Sequence, residues 1–483
     1  MGRSGGPAPC QDTGNSTSVH TRVNPDRRSH RVAVLGGGIT GLTAAWHLKR
    51  AGFTAVVFER ARRAGGVIGA VRTNGWLHEL GPNSLLEGSQ SVADFIEQTG
   101  LGPRRIFASP AAKRRYIVRG GRMIALPASP LGFAFTRLFS LGAKVGLLAE
   151  PWRKRGAADA EESVADFVLR RLGREFLDYA VNPFVGGVYA GDPARLSVRH
   201  AFPKLHAIER EHGSLIRGAI RRRNTSGAPK GRIFSFPEGL HELPLALAGS
   251  LGDAVRLHHT AVRLTLLNGE WHLELESAGV RTAEVFSSVV CALPAGALAT
   301  LHFENVPEAA RLGALREIEY PPIASVFTGY ERSEVAHPLD GFGLLMPQAE
   351  GTRILGTLFS STLFPNRAPP GCVGMTTFLG GMRDPELAAQ SDSDLVAIVH
   401  TQLSRLLGAH GGPTFTDVQR WPRAIPQYTM GYQRFKDAVA AVEAAAPGLH
   451  IGGNWLDGIA LANCIDSGHR LAKAVESAAD RPR

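Results

Sequence analysis

The stretch Arg31-Val-Ala-Val-Leu-Gly-Gly-Gly-Ile-Thr-Gly41 decides how this chain is read. The run from Arg31 to Leu35 predicts a short apolar strand, and Gly36, Gly38 and Gly41 follow it at G-x-G-x-x-G spacing. Each glycine has a reason to lack a side chain. Gly36 permits a tight turn, Gly38 lets a pyrophosphate reach the backbone, and Gly41 allows a helix to pack closely on the strand. Gly37, Ile39 and Thr40 complete the turn, where unpaired N–H groups and the helix dipole favour an anion. A helix is predicted over residues 42–51, then a second strand over 54–58 with Glu59 at its end. A carboxylate there can accept both ribose hydroxyls of an adenosine and would repel a 2′-phosphate. The glycines alone are a weak signal, but in this context they complete a β-α-β unit of dinucleotide-binding type.

The chain closes as it begins, with a strand predicted over 449–452, a glycine turn, and a helix over 461–478. The nucleotide-binding domain is therefore expected to be discontinuous, made of residues 30–108, 228–305 and 418–478. Between these lie basic helical segments, including 160–171 and 205–223, that predict an inserted lobe over 109–227. Strand-like alternation returns at 254–266 and 270–276, with an apolar strand at 285–293. Residues 306–417 mix strands at 324–330, 356–359 and 375–379 with a helix at 391–407. The expected class is α/β plus α+β: a Rossmann-type domain, a mixed-sheet domain and a helical lobe.

A formal charge of +11 and a pI of 9.8 are compatible with nucleic acid, an anionic membrane surface or an acidic small molecule. Between Arg104 and Arg155, however, twelve Lys or Arg residues face one acid, Glu150. That clustering favours a local patch for an anionic surface or ligand over a nucleic-acid coat. Cys10, Cys291, Cys372 and Cys464 form no C-x-x-C pair, which argues against a disulfide framework or a metal site and suits a reducing cytoplasm. Residues 285–303 are long enough to span a membrane, but Ser287, Ser288, Pro294 and Gly296 make them read as a buried strand, a turn and a helix. Residues 1–29 lack a secretory apolar run and are expected to be a disordered tail.

After Glu59 come Arg63-Ala-Gly65-Gly66 and then Glu79-Leu-Gly81-Pro-Asn-Ser84. With these segments the sequence resembles the FAD-dependent amine oxidase and porphyrinogen oxidase superfamily. Nicotinamide dehydrogenases do not usually show the second glycine pair. Three further stretches resemble the protoporphyrinogen oxidase family in particular: Asn182-Pro-Phe-Val-Gly-Gly-Val-Tyr-Ala-Gly191 through Pro203, Ile425-Pro-Gln-Tyr-Thr-Met-Gly431, and Asn463-Cys-Ile-Asp-Ser-Gly468. The resemblance implies non-covalent FAD held by Gly36 to Gly41, Glu59, Arg60, Gly65, Gly66, Gly81, Pro82, Asn83, Ser84, Val262, Asn454, Ile459, Ala460 and Leu461. Val67 departs from the pattern, since animal members carry tryptophan after the glycine pair.

For the substrate, the resemblance implies a puckered apolar macrocycle with two propionates. Arg115 matches the family's propionate-binding arginine, with Arg114 a competitor, and Phe342, Gly343, Leu345, Leu358 and Phe378 match its apolar wall. The implied reaction is a six-electron oxidation of protoporphyrinogen IX in tetrapyrrole biosynthesis. The flavin accepts hydride and oxygen reoxidises it, so no general base or catalytic side chain is nominated. The lobe would lie on a membrane surface, with the basic block meeting lipid headgroups and residues 123–139 giving apolar contact. A cytoplasmic, peripherally bound enzyme follows, and a homodimer is compatible. Other readings stay open: a coproporphyrinogen III oxidase, an amine oxidase or carotenoid desaturase, and a non-catalytic flavin-binding interaction protein. Against an amine oxidase, Gly453-Asn-Trp-Leu-Asp457 stands where a G-E-x-T-like turn is expected.

Overall fold

The computed structural model describes residues 25–157, 160–225 and 231–481. In chain order, the elements that position the site begin with β1 (Arg31–Leu35), α1 (Ile39–Arg50), β2 (Thr54–Phe58), β3 (Trp76–Glu79), β4 (Arg114–Arg119) and β5 (Arg122–Ala125). Next come α2 (Pro130–Phe135), α3 (Leu141–Leu148), α4 (Asn182–Tyr189), β6 (Thr260–Leu267), β7 (Ser288–Cys291) and β8 (Ile323–Glu331). The last are β9 (Gly341–Leu345), β10 (Ile354–Leu358), β11 (Cys372–Gly380), α5 (Asp392–Leu407), β12 (Phe415–Trp421), β13 (Leu449–Ile451) and α6 (Leu461–Ala479).

Five parallel strands form the nucleotide layer in the order Val255–Arg256, β2, β1, β7, β13, so segments more than 150 residues apart in sequence pair directly. This is the discontinuous Rossmann-type sheet the two chain ends predict. The α1 helix is buried along most of its length because β1 lies on one side and α6 on the other. It starts at Ile39, three residues earlier than the apolar pattern indicates, because Gly38 serves as its N-cap without a side-chain bond to the exposed N–H groups.

A second, seven-stranded sheet runs β12-β8-β11-β10-β9-β4-β5. One face carries Tyr116, Val118, Val326, Tyr330, Leu344, Met375 and Leu379, which pack on Leu395, Val399, Leu403 and Leu407 of α5. Since facing residues of paired strands share a side of the sheet, the register puts Arg115, Gly343, Leu358 and Phe378 on the other face.

Several local expectations are corrected. The tail is ordered from Pro25, where a helix over Pro25–Ser29 is pinned by Arg27, which bonds Asp480 at 2.5 Å and lies over the Phe53 ring; residues 1–24 lie outside the described part. The apolar run at 285–293 is two strands, not one. Val280–Phe286 pairs in a separate four-stranded sheet, and the chain crosses at Ser287, whose N–H bonds Arg31 O, into β7 of the parallel sheet. The helix read over 205–223 breaks at Gly213, whose φ of +69° ends one helix before Leu215 starts the next. Residues 114–125, read as the start of a helical lobe, form the β4–β5 hairpin of the seven-stranded sheet, and the α-helices of the lobe begin only beyond it. Among the described residues, no helix is long and apolar enough to cross a membrane.

Candidate active site

The glycine turn is walled on three sides and open on the fourth. A Cβ on Gly41 would lie 2.0 Å from Gly36 O, and one on Gly37 would lie 2.9 Å from Glu59 Cβ, whereas one on Gly38 meets nothing within 4 Å. The open side is where the N–H groups of α1 point, so the space suits a pyrophosphate. Gly65 donates to Gly37 O at 2.8 Å, and Gly66 sits so close to Gly38 that its own Cβ would fall 3.3 Å from the Gly38 Cα. The second glycine pair is thus the floor of the same cradle. Both residues have positive φ, +107° and +58°, which explains the type of residue as well as the spacing.

Glu59 is fixed by two backbone donors, Gly37 N at 2.7 Å and Ala61 N at 2.8 Å, one to each carboxylate oxygen. Each oxygen keeps a lone pair for a ribose hydroxyl. Its carbonyl accepts from His259 N, which brings the start of β6 alongside. Val262 is the extra residue where the register of β6 slips between Ala261 and Arg263, so it has no partner residue across that ladder. Arg60 is exposed at the rim.

The far half of the site comes from the chain's end. Gly453 and Gly458, with φ of +134° and +126°, bracket a short turn, Asn454–Asp457, and α6 then starts at Leu461 with no side-chain cap on Ala460. Tyr428 donates to Asn454 O and Tyr432 to Trp455 O, and the Trp455 indole donates to Leu293 O at 3.0 Å. Asp457 accepts from Ser467 Oγ at 2.5 Å and Arg470 at 2.9 Å, which fixes the turn on α6. Gly468 of α6 sits on the first turn of α1. The open end of α6 therefore projects past that of α1 by seven residues of helix, about 10 Å. Two uncapped helix N-termini at that spacing, with half-buried Gly81 to Ser84 and Ile459 nearby in the chain segments they join, fit a dinucleotide carrying a second ring system. A mononucleotide would leave the second terminus without a partner.

Residues 80–84 link this layer to the seven-stranded sheet. The Trp421 indole donates to Leu80 O at 2.7 Å, and a Cβ on Gly81 would lie 2.3 Å from Val67 O. Asn83 folds back on Gly81 O at 3.0 Å. Trp76 and His78 of β3 cover the β8–β12 end of the sheet, stacking with Phe415 and Phe327, and His78 pairs with Asp417 at 3.0 Å. At the opposite end, α4 lies so close that a Cβ on Gly187 would fall 2.4 Å from Leu345 Cδ2.

Between those covers Phe342, Leu345, Leu358 and Phe378 remain half-buried, unlike the fully buried residues beneath them. Phe342 and Leu358 pack with Phe364 and Leu363, and Phe378 with Ile425 and Leu355, so the wall has two apolar ends. Gly343, at φ +151° and with a Cβ position only 2.2 Å from Thr357 O, could hold no side chain there. The structure separates the two candidate arginines. Arg114 is engaged by Asp340, which also accepts from Tyr116 at 2.6 Å. Arg115 lies opposite Gly343 with its guanidinium 5.2 Å from the centroid of the Phe342 ring, and no acid among the described residues pairs with it.

Some participants were not assigned from sequence. Arg63 donates to Ile68 O at 2.7 Å and Gly66 O at 2.9 Å, holding the second glycine turn closed from outside. Its place before the glycine pair was a visible signal. Trp421 and Tyr432 gave none, because their partners are backbone carbonyls supplied only by the fold.

The chain matches the family described as flavin containing amine oxidoreductase over residues 39–476. It is 35% identical to protoporphyrinogen oxidase 2, chloroplastic/mitochondrial, of Arabidopsis thaliana, over 92% of this chain and 94% of that protein. It is 27% identical to coproporphyrinogen III oxidase of Bacillus subtilis, over 92% and 97%. Among solved structures, cyclohexylamine oxidase from Brevibacterium oxydans superposes with a TM-score of 0.69 at 16% identity, covering 94% of this chain and all of that one, which shows the shared fold. The cofactor is FAD, and the chain is an FAD-dependent oxidoreductase that belongs to the protoporphyrinogen oxidase family of flavin-containing amine oxidoreductases.

Proposed function

We propose that this enzyme oxidises protoporphyrinogen IX to protoporphyrin IX, using oxygen as the terminal acceptor. The observation that carries the reading is Arg115: an exposed residue whose guanidinium has no acid partner among the described residues and lies on Phe342 at the edge of a half-buried apolar wall. A flat macrocycle fits the wall, and a propionate fits the guanidinium by a charge-assisted, bidentate bond. The similarity to the Arabidopsis protein over nearly the full length of both supports the same reading. Bound FAD would supply the two-electron acceptor at which each of the three oxidations occurs. The chain's own residues position and exclude. Gly38 and Gly41 seat the pyrophosphate, Glu59 the ribose, and Asn454 to Leu461 face the ring system, while Phe342, Leu345, Leu358 and Phe378 shield the reacting carbon from water.

The division of labour follows from this. Residues 30–108, 228–305 and 422–478 serve as the FAD-binding part, 109–125 and 306–421 as the substrate part, and 126–227 as a membrane-facing lobe. The apolar contact lies further along than residues 123–139 as a whole: Leu138 and Phe139 are buried, while Leu131, Phe135, Leu141, Leu148 and Trp152 are each at least 70% exposed. They cluster on α2, α3 and the turn after it, beside exposed Arg137, Lys154 and Arg155. An apolar set flanked by cations suits an anionic leaflet. The full-length protein should pellet with vesicles of mixed phosphatidylserine and phosphatidylcholine, and F135S/L148S/W152S should stay in the supernatant.

Anaerobic mixing of the yellow protein with protoporphyrinogen IX, followed by air, tests the main reading. Flavin bleaching and porphyrin fluorescence are expected. Bleaching with coproporphyrinogen III alone would reassign the substrate to the four-propionate macrocycle, and bleaching with neither would remove the porphyrinogen reading.

A further inference from the structure

Outside the walls described above, buried charge gathers where β3 leaves the nucleotide layer and meets the loop before β11. Glu79, the last residue of β3, is 4% exposed. Its Oε1 accepts the Leu240 N–H at 2.9 Å, while Oε2 is buried without a hydrogen-bond partner. Arg367 is 2% exposed and reaches across from the loop between β10 and β11. Its guanidinium comes within 3.5 Å of Glu79 Oε1 and donates to Ser235 Oγ at 2.9 Å and Phe236 O at 3.2 Å. Its carbonyl accepts from Leu77 N of the same strand β3. Gly239, at φ +102°, makes room, since a Cβ there would fall 3.0 Å from Glu79 Oε1 and 2.7 Å from Ala70 Cβ.

One buried ion pair thus joins three segments: β3, the turn at 235–240, and the loop feeding the substrate sheet. The residue after Glu79 is Leu80, whose carbonyl takes the Trp421 indole, and residues 81–84 follow directly. The pair also has one carboxylate oxygen to spare. A buried acceptor left without a donor is unfavourable when charged and is relieved when the carboxyl carries a proton.

We propose that Glu79 and Arg367 are a proton-sensitive positioning pair, which sets how residues 80–84 are held between the flavin and the substrate sheet. Burial pushes the Glu79 carboxyl up to about 7, against the opposing pull of Arg367, of the Leu240 N–H and of the nearby Ser235 hydroxyl. The ionised carboxylate draws the guanidinium toward β3. The protonated one leaves Arg367 to Ser235 and Phe236 and relaxes the link to β3. The other charged groups that face the pair are occupied: Arg72 with Glu238 at 2.7 Å, and Glu242 with Arg104 at 2.6 Å. Burial pushes the neighbouring His241 imidazole down. Glu79 is therefore the acid of this seam that titrates near neutrality.

The inference rests on residues 81–84 facing the flavin and is independent of which macrocycle is oxidised. It is tested on the FAD-loaded protein without porphyrinogen, by following the visible absorbance and fluorescence of the flavin against pH. A spectral step centred near pH 7 is expected in the wild type. E79Q should lose it and H241N should keep it. R367Q should move it to higher pH, because the guanidinium holds the carboxyl down. A flat wild-type titration, a step that survives in E79Q, or an unmoved midpoint in R367Q would each overturn the proposal. If E79Q does not retain FAD, the wild-type and R367Q titrations decide it. Failure of the porphyrinogen reading would leave these titrations unchanged.

Discussion

Gly468 of α6 rests on Thr40 of α1: a Cβ on Gly468 would lie 2.5 Å from the Thr40 carbonyl oxygen and 2.7 Å from Thr43 Cβ. This contact lets α6 stack against α1, and so sets the N-terminus of α6 beyond that of α1. Both obstructing atoms lie in a packed helix and cannot swing aside. Gly468→Ala should therefore destabilise the protein by about 1–3 kcal/mol or more, the usual range for overpacking. Urea unfolding of the FAD-free and FAD-loaded forms measures it, with the larger loss expected in the loaded form.

Gly38 supplies the contrasting case. Because its Cβ position is open, Gly38→Val should leave the FAD-free fold close to wild-type stability while filling the space meant for the pyrophosphate. The expected result is a colourless protein with a wild-type circular dichroism spectrum. A yellow, fully loaded variant would remove the cradle from the site.

Arg115 and Arg114 are neighbours in sequence with different partners, so their variants should separate. Arg115→Ala should raise KM about tenfold or more, the loss of one charge-assisted bond, with FAD content unchanged. Arg114→Ala removes the bond to Asp340 at an exposed position, and its KM should stay near wild type. Steady-state kinetics with protoporphyrinogen IX on both variants is the measurement.

Acid should weaken the fold before most of the carboxylates titrate. Burial pushes His47, His200 and His450 down to about 4, reinforced by His469, Arg50 and Lys473 around His47, by Lys436 beside His200, and by Arg470 and His30 beside His450. With folded values below the unfolded 6.5, the unfolded chain binds more protons, so stability falls as pH drops from 6.5 toward 4. Glu79 acts in the opposite sense: its raised value favours the folded state as pH falls from 7 toward 4.5. With six lowered histidines, His206, His241 and His337 joining these three, against two raised carboxyls, Glu79 and Glu443, the melting temperature should decline over this window, and His47→Asn together with His450→Asn should flatten the decline.

The nucleotide half of the site was legible because its chemistry is local. Residues 31–59 contain the strand, the turn, the helix and the acid in one run, and steric rules tie each glycine to a position. The strands over 31–35 and 54–58 have the bounds read from the sequence, and the C-terminal strand–turn–helix follows the same pattern. The run at 285–293 misled for the opposite reason. Apolar continuity marks burial but not which sheet does the burying, and only the crossing at Ser287 divides it.

By itself, then, the sequence determined the dinucleotide fold, because that depends on backbone sterics within a few residues, and the resemblance of its motifs to a known family indicated FAD. The tertiary structure decided which of two adjacent arginines is free, since Asp340 comes from a loop more than 200 residues away. It also placed the β4–β5 hairpin in the substrate sheet, and it brought Glu79 and Arg367 together across 288 positions. Those relations depend on which surfaces long-range packing presses together, and neither composition nor spacing along the chain records that.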